Sequence, residues 1–152
     1  MIEDKLEQLG YKITQGPAPL AEYIPATQLG NVVYTAGQIP IEEGKLKFAG
    51  KLGIDLTLEE GKKAAELCAV NGLRVIKNVI KELDKIERIV KVTVFVNSAE
   101  GFTDQPKVAN GASEFLFKLF GEAGRHVRSA VGVNELPINA AVEVELMVKL
   151  KD

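Results

Sequence analysis

The stretch from Thr57 to Leu83 constrains the fold more than any other part of the chain. Thr57-Leu58-Glu59-Glu60 has the spacing of a capping box, in which the threonine hydroxyl takes a free backbone amide and the second glutamate reaches back. Ala65, Cys68, Ala69, Gly72, Leu73, Ile76, Val79, Ile80 and Leu83 then recur at helical spacing, which holds one apolar face for about seven turns. Lys62, Lys63, Glu66, Arg74, Lys77, Lys81 and Glu82 fall mostly on the other side. A helix this long with one apolar side needs a broad apolar partner, and the pattern predicts that it lies along a sheet.

The strands to build that sheet are legible. Ala141 to Leu150 alternates cleanly, with Val142, Val144, Leu146, Val148 and Leu150 set against Glu143, Glu145, Met147 and Lys149. Ile89 to Val96 reads as a second strand with Val90, Val92, Val94 and Val96 on one side. Asn31 to Ala36 and Ser129 to Val133 read as two more. Gln105 to Phe120 reads as a second helix, with Asp104 as its cap, Pro106 in its first turn, and Val108, Ala112, Phe115, Leu116 and Leu119 as its buried stripe. Ile2 to Leu9 has the pattern of a short helix stopped by Gly10, within an N-terminal extension over residues 1–20. Ile41 to Gly53 reads as a loop or short hairpin.

Strand, long helix, strand, helix and two strands predict an α+β fold with two helices on one face of one mixed sheet. The other face of that sheet must then find cover, and in a chain this small the natural cover is another subunit. A length of 152 residues, without repeat or linker, fits one domain over residues 1–152. Lys and Arg total 19 against 21 Asp and Glu, with the signs interspersed, so no global basic field points to nucleic acid. No apolar run approaches the ~20 residues that span a bilayer, and the acidic, amphipathic start does not resemble a signal peptide; these features read as a cytoplasmic protein. The single cysteine, Cys68, falls on the apolar face of the long helix and reads as core. With His126 as the single histidine, the chain has no set of zinc ligands, and His126 reads as a loop residue. The glycines form no phosphate-binding loop.

Three segments carry a resemblance. They are Leu29-Gly30-Asn31-Val32-Val33-Tyr34-Thr35-Ala36-Gly37-Gln38-Ile39-Pro40, Val90-Lys91-Val92-Thr93-Val94-Phe95-Val96, and Arg128-Ser129-Ala130-Val131-Gly132-Val133-Asn134-Glu135-Leu136-Pro137 followed by Val142-Glu143-Val144-Glu145. Together they resemble the signatures of the Rid family (YjgF or L-PSP proteins), and the likeness runs from about Tyr23 to Leu150.

The resemblance implies a chorismate-mutase-like fold and a homotrimer whose sheets enclose a central β-barrel. It implies active sites between neighbouring subunits, where enamine and imine intermediates such as 2-aminoacrylate are hydrolysed to 2-oxo acids and ammonia without metal or organic cofactor. By the same likeness Arg128 holds the substrate carboxylate, a task for which a planar, forked cation suits better than lysine. Glu143 matches the glutamate that holds the attacking water. Tyr23, Gly37, Asn110 and Ala130 match pocket positions. Each residue also has a plainer reading: an interface ion pair for Arg128, a solvent-facing strand residue for Glu143, a subunit contact for Tyr23, a helix-surface residue for Asn110 and a strand-ending turn for Gly37.

Two positions depart from the deaminase pattern. Ala130 stands where many deaminase members carry cysteine, and Ala36 where many carry serine. The Ile41–Gly53 segment is also unlike the usual form and marks a divergent branch. The resemblance leaves open a non-catalytic module that binds a small carboxylate, and the endoribonuclease or translation-inhibitor activity attached to the family's name. The acidic balance and the lack of a paired acid and base weigh against RNA cleavage.

Overall fold

The computed structural model describes residues 1–152. Helix α1 spans Ile2–Gln8; strands β1 (Ala26–Leu29) and β2 (Val32–Thr35) form a hairpin; β3 (Ile41–Glu42) and β4 (Lys45–Leu46) form a second, smaller one. Helix α2 (Leu58–Ile80), strand β5 (Ile86–Asn97), helix α3 (Gln105–Phe120) and strands β6 (Val127–Val133) and β7 (Val142–Leu150) complete the chain. The main sheet has the order β1-β2-β7-β5-β6, parallel between β5 and β6 and antiparallel elsewhere.

Helices α2 and α3 cover one face of this sheet, as the two long apolar stripes predict. The capping box is present at Thr57: its hydroxyl accepts from the Glu60 amide at 3.2 Å, and the Glu60 carboxylate accepts from the Thr57 amide at 2.7 Å. Gly72 brings α2 down onto β7, since a Cβ there would lie 2.5 Å from Leu146 Cδ1. Gly111 brings α3 against α2 in the same way, 1.9 Å from the Lys62 carbonyl. Cys68 is fully buried, and Val142, Val144, Leu146, Val148 and Leu150 all point into the core. The Leu146→Ala change would remove packing on both layers and cost about 2–5 kcal/mol.

Several expectations are corrected. The long helix stops at Ile80, and Leu83 sits in a following single-turn helix, because Lys81 takes up a positive φ of 74°. Arg74, expected on the solvent side, is only 4% exposed. Its guanidinium bonds to the Lys12 carbonyl, Asn71 and the Glu42 carboxylate, because the N-terminal segment and the β3–β4 hairpin close over that side of α2. Val90 does not share a face with Val92, Val94 and Val96. Ile89 pairs with Val148 and Lys91 with Met147, so an irregularity at Val90 switches the alternation, and Ile89 takes the core position. Asp104 stands at the start of α3, but its side chain makes no cap bond and pairs instead with Lys107 at 3.3 Å.

Residues 1–20 are sewn to the domain. Leu6 is buried, the Leu83 amide donates to Glu3 at 2.8 Å, and Tyr11 donates to Glu66 at 2.7 Å while meeting Phe115 edge-on. Helix α1 thus adds a third helix, packed at α3 and the 83–85 turn. No helix is long and apolar enough to cross a membrane.

The second sheet face carries no helix. Cross-strand partners share a face, which places Phe95 with Glu143 and Val131, Thr93 with Glu145 and Ser129, and Tyr34 and Lys91 with Met147 on this open side. Val131 is 44% exposed there and Tyr34 38%.

Candidate functional site

The residues singled out by the sequence fall into two groups. The first is built on α3 and β6. Pro106, Asn110 and Ser113 lie four and three apart, so they share one face of α3. Strand β6 runs beside that face, and its register with β5 pairs Arg128 with the buried Val92, so Arg128 points to the helix side of the sheet. Its Nη1 donates to Asn110 Oδ1 at 2.9 Å and to Ser113 Oγ at 3.1 Å, and its Nη2 donates to the Pro106 carbonyl at 3.3 Å. All three acceptors are neutral, and none of the chain's ion pairs reaches Arg128. Arg128 thus forms no ion pair within its own chain.

Arg128 borders a cleft of about 690 Å³ whose lining includes Ser113, Phe117, Lys118, Arg125 and His126. Arg125 stacks over the Phe117 ring at 5.0 Å and pairs with Glu122 at 2.9 Å. Asn110 is turned to Arg128, so its amide holds the guanidinium. Ala130, two residues along β6, faces the same way and packs half-buried against the core.

The second group is built on β7 and the segments that cross its end. Gln38 exchanges two backbone bonds with Val144, at 2.8 and 2.9 Å, which carries Gly37 across Glu143. A Cβ on Gly37 would lie 2.0 Å from Glu143 Oε1, so the missing side chain is the space the carboxylate occupies. Gly37 matches a pocket position, and the room beside its backbone is filled by Glu143. Tyr23, Gly37, Pro137 and Glu143 line one cavity of about 250 Å³, walled further by the irregular segment from Pro17 to Pro25. Burial, and then the charge of Glu145, push the Glu143 carboxyl above its ordinary value. That suits a group that takes and returns a proton. Tyr23 is 47% exposed at the mouth of this cavity.

The fold does not bring the two groups together within one chain. Val92 pairs with Arg128 and with Leu146, whereas Phe95 pairs with Glu143. The two side chains therefore leave opposite faces of the sheet, with backbones about 10 Å apart across the strands and about 10 Å along them.

Sequence reasoning passed over Ser113 and read His126 as a loop residue. His126 Nε2 lies 2.9 Å from Ser113 Oγ, and its Nδ1 lies 2.7 Å from the Gly124 carbonyl. The signal was the Asn110–Ser113 spacing on one helix face, together with a histidine two residues before the arginine.

Comparison with known proteins now decides the kinship. Residues 3–150 match the family described as "YjgF/chorismate mutase-like, putative endoribonuclease". The chain belongs to this family. Protein TCP17 of Trypanosoma cruzi is 41% identical over 148 residues, which are 97% of this chain and 92% of the relative. The 2-iminobutanoate/2-iminopropanoate deaminase of Dermatophagoides farinae is 31% identical over 136 residues, 89% of this chain and 91% of that one. The crystal structure of Atu1372, a protein of unknown function from Agrobacterium tumefaciens, matches with a TM-score of 0.92 at 41% identity, over 99% of this chain and 92% of that chain. The α+β architecture is thus the YjgF/chorismate-mutase-like fold, and the Rid resemblance read from Arg128 to Glu145 holds.

Proposed function

We propose that this Rid-family protein hydrolyses 2-imino acids, formed from enamines such as 2-aminoacrylate, to 2-oxo acids and ammonia. In this reading the site lies between neighbouring subunits of a homotrimer whose open sheet faces enclose a central barrel. The arginine group of one subunit then faces the glutamate group of the next. The observation that carries the reading is the guanidinium of Arg128, held by three neutral acceptors at the edge of a cleft and paired with no acid of its own chain, the Glu114 of that cleft being paired with Lys62 instead. A cation so placed is ready for an anionic guest. A relative 31% identical to this chain is named as a 2-imino acid deaminase, which supports the same chemistry.

The reaction asks little covalent work of the protein. Arg128 binds the substrate carboxylate and fixes the imine carbon. Glu143, as carboxylate, accepts a proton from water while the water oxygen bonds to that carbon and the C=N π electrons move to nitrogen. That proton passes to nitrogen, giving the carbinolamine; the carboxylate then takes the carbinolamine hydroxyl proton and hands it to the amine, the C–N bond breaks, ammonia leaves and the C=O bond of the 2-oxo acid forms. No metal or organic cofactor enters any of these steps.

The test is pyruvate release from a system that generates 2-aminoacrylate. Wild-type protein should accelerate it over buffer, and Arg128→Ala should abolish the gain while leaving the oligomer intact. No acceleration by the wild type, with several imino acids, would reject the enzyme reading. A second reading, a non-catalytic binder of small carboxylates, draws on Ala36 and Ala130, which supply no polar side chain where many deaminase members have one. Calorimetry showing that 2-oxobutyrate binds without turnover of any imino acid would favour it.

A further inference from the structure

His126 is the sole histidine of the chain, and each of its ring nitrogens has one neighbour. The partner of Nδ1 is the Gly124 carbonyl at 2.7 Å. A carbonyl only accepts, so Nδ1 carries the proton. In the neutral ring Nε2 is then an acceptor, and the hydroxyl 2.9 Å away on Ser113 donates to it. Burial first, and then the charge of Arg128, hold His126 below its ordinary value against the opposing Gly124 bond, so the neutral ring is the favoured form.

The consequence reaches Arg128. Once the Ser113 hydrogen is committed to His126, the side of the oxygen that faces Arg128 presents a lone pair, which accepts from Nη1 at 3.1 Å. Asn110 accepts from the same nitrogen at 2.9 Å. A guanidinium has five N–H donors. Both hydrogens of Nη1 are thereby spent, and one of Nη2 goes to Pro106. Nε–H and one hydrogen of Nη2 remain.

We propose that His126 and Ser113 are positioning residues that aim Arg128: His126, in its Nδ1–H tautomer, fixes the Ser113 hydroxyl, and Ser113 with Asn110 locks Nη1, leaving Nε and Nη2 as the edge that grips a carboxylate. The inference rests on the reading of Arg128 as the carboxylate anchor. Ser113 and His126 also have the spacing of a nucleophile and its base. Yet an oxygen that already accepts from a guanidinium is a poor nucleophile, which assigns Ser113 to holding rather than attack.

Two measurements test this on the full-length protein. Long-range proton–nitrogen NMR on labelled protein reports the tautomer of a single imidazole without overlap. Near neutral pH it should show the Nδ1-protonated ring; an Nε2-protonated ring overturns the proposal. Calorimetry with 2-oxobutyrate reports the consequence. Ser113→Ala should weaken binding roughly tenfold, the scale of one lost hydrogen bond to a charged group. Ser113→Thr, which keeps a hydroxyl, should recover most of that loss. His126→Phe should weaken binding as Ser113→Ala does, and His126→Gln, which keeps an acceptor, should weaken it less. Unchanged affinity in Ser113→Ala, or equal losses in the alanine and threonine variants, would contradict the assignment. If wild-type protein binds no 2-oxobutyrate, the carboxylate reading of Arg128 fails, and the tautomer alone decides the relay.

Discussion

The two halves of the candidate site are opposites in construction. The arginine half is polar and rigid. Its cation sits on a strand, its three acceptors sit along one helix face, and a histidine backs them. The glutamate half is a small, mostly apolar cavity roofed by the irregular Pro17–Pro25 segment, with one half-buried carboxyl and the backbone of Gly37 pressed against it. One half offers positive charge and the means to fix an anion. The other offers a proton acceptor whose burial raises its affinity for protons. Each lacks what the other holds, and the parity of β5, β6 and β7 sends them to opposite faces of one sheet. A single copy of the chain therefore holds the two groups apart, and in the proposed reading a second copy joins them.

The largest expected effect comes from removing the cation. Arg128→Ala should cut turnover of 2-imino acids by on the order of 10²–10³-fold, since both binding and charge stabilisation are lost. Ammonia release under single-substrate conditions measures it. A loss confined to less than about threefold would mean that the arginine half is not where the anion sits.

Glu143→Gln comes next, with a loss on the order of 10²-fold, the scale of a general base. The pH dependence carries the sharper information. The carboxyl must be ionised to accept a proton, so activity falls as pH drops through its value in the folded protein. Because that value is raised, the acid limb of kcat/KM should lie above the ordinary 4.5 of a glutamate. Glu143→Gln should abolish that limb. An acid limb unchanged in the variant would assign it to another group.

Gly37→Ala probes the same half without touching a titrating atom. The added Cβ would meet Glu143 Oε1 at 2.0 Å, so the carboxylate must swing away. The φ of Gly37 is not in the left-handed region, so the backbone accepts alanine there. Activity should fall roughly tenfold through misplacement of the base, with melting unchanged within a few degrees. If activity is unaltered, Glu143 does not act from the position seen here.

The smallest effect is on stability, and its sign is opposite. A raised folded-state value means that ionised Glu143 is disfavoured in the native state. Its contribution to stability is best at low pH and is lost as pH rises through the unfolded value toward the folded one. Glu143→Gln should therefore raise Tm slightly at pH 7, and the gain should disappear below the ordinary value of 4.5. A Tm lowered at neutral pH would mean that the carboxylate is paired with a cation.

Much of this fold was legible because its periodicities are long. The apolar stripe of α2 and the strict alternation of β7 each repeat often enough that no other element satisfies them, and Gln105–Phe120 carries Pro106 in its first turn and ends at Gly121. The failures are local. Strand β1 has four residues, two of them the polar Thr27 and Gln28, too few to show an alternation before the chain turns into β2. The irregularity at Val90 leaves no trace in a run of alternating valines, because the switch of face is set by pairing with β7. Arg74 looked like a solvated charge because the segments that bury it, around Lys12 and Glu42, lie far away in sequence.

The site was legible as a set of residues and not as two sets. The motifs place Arg128 and Glu143 fifteen positions apart in one signature, and nothing in their spacing says that β6 and β7 present them to opposite faces. That division comes from the parallel pairing of β6 with β5 and the antiparallel pairing of β7 with β5. Ser113 was missed, and His126 read only as a loop residue, for a related reason. Their roles are defined by each other and by Arg128, across the junction of α3 and β6.

The claim that the two halves meet only between copies is best tested by mixing two dead variants. Arg128→Ala and Glu143→Gln, each inactive alone, are denatured, combined in equal amounts and refolded together. If every site takes its arginine from one subunit and its glutamate from the next around a closed ring, about one quarter of the sites regain both residues, and activity should return to about that fraction of wild type. Mixed oligomers that form but stay as inactive as their parents would contradict the account.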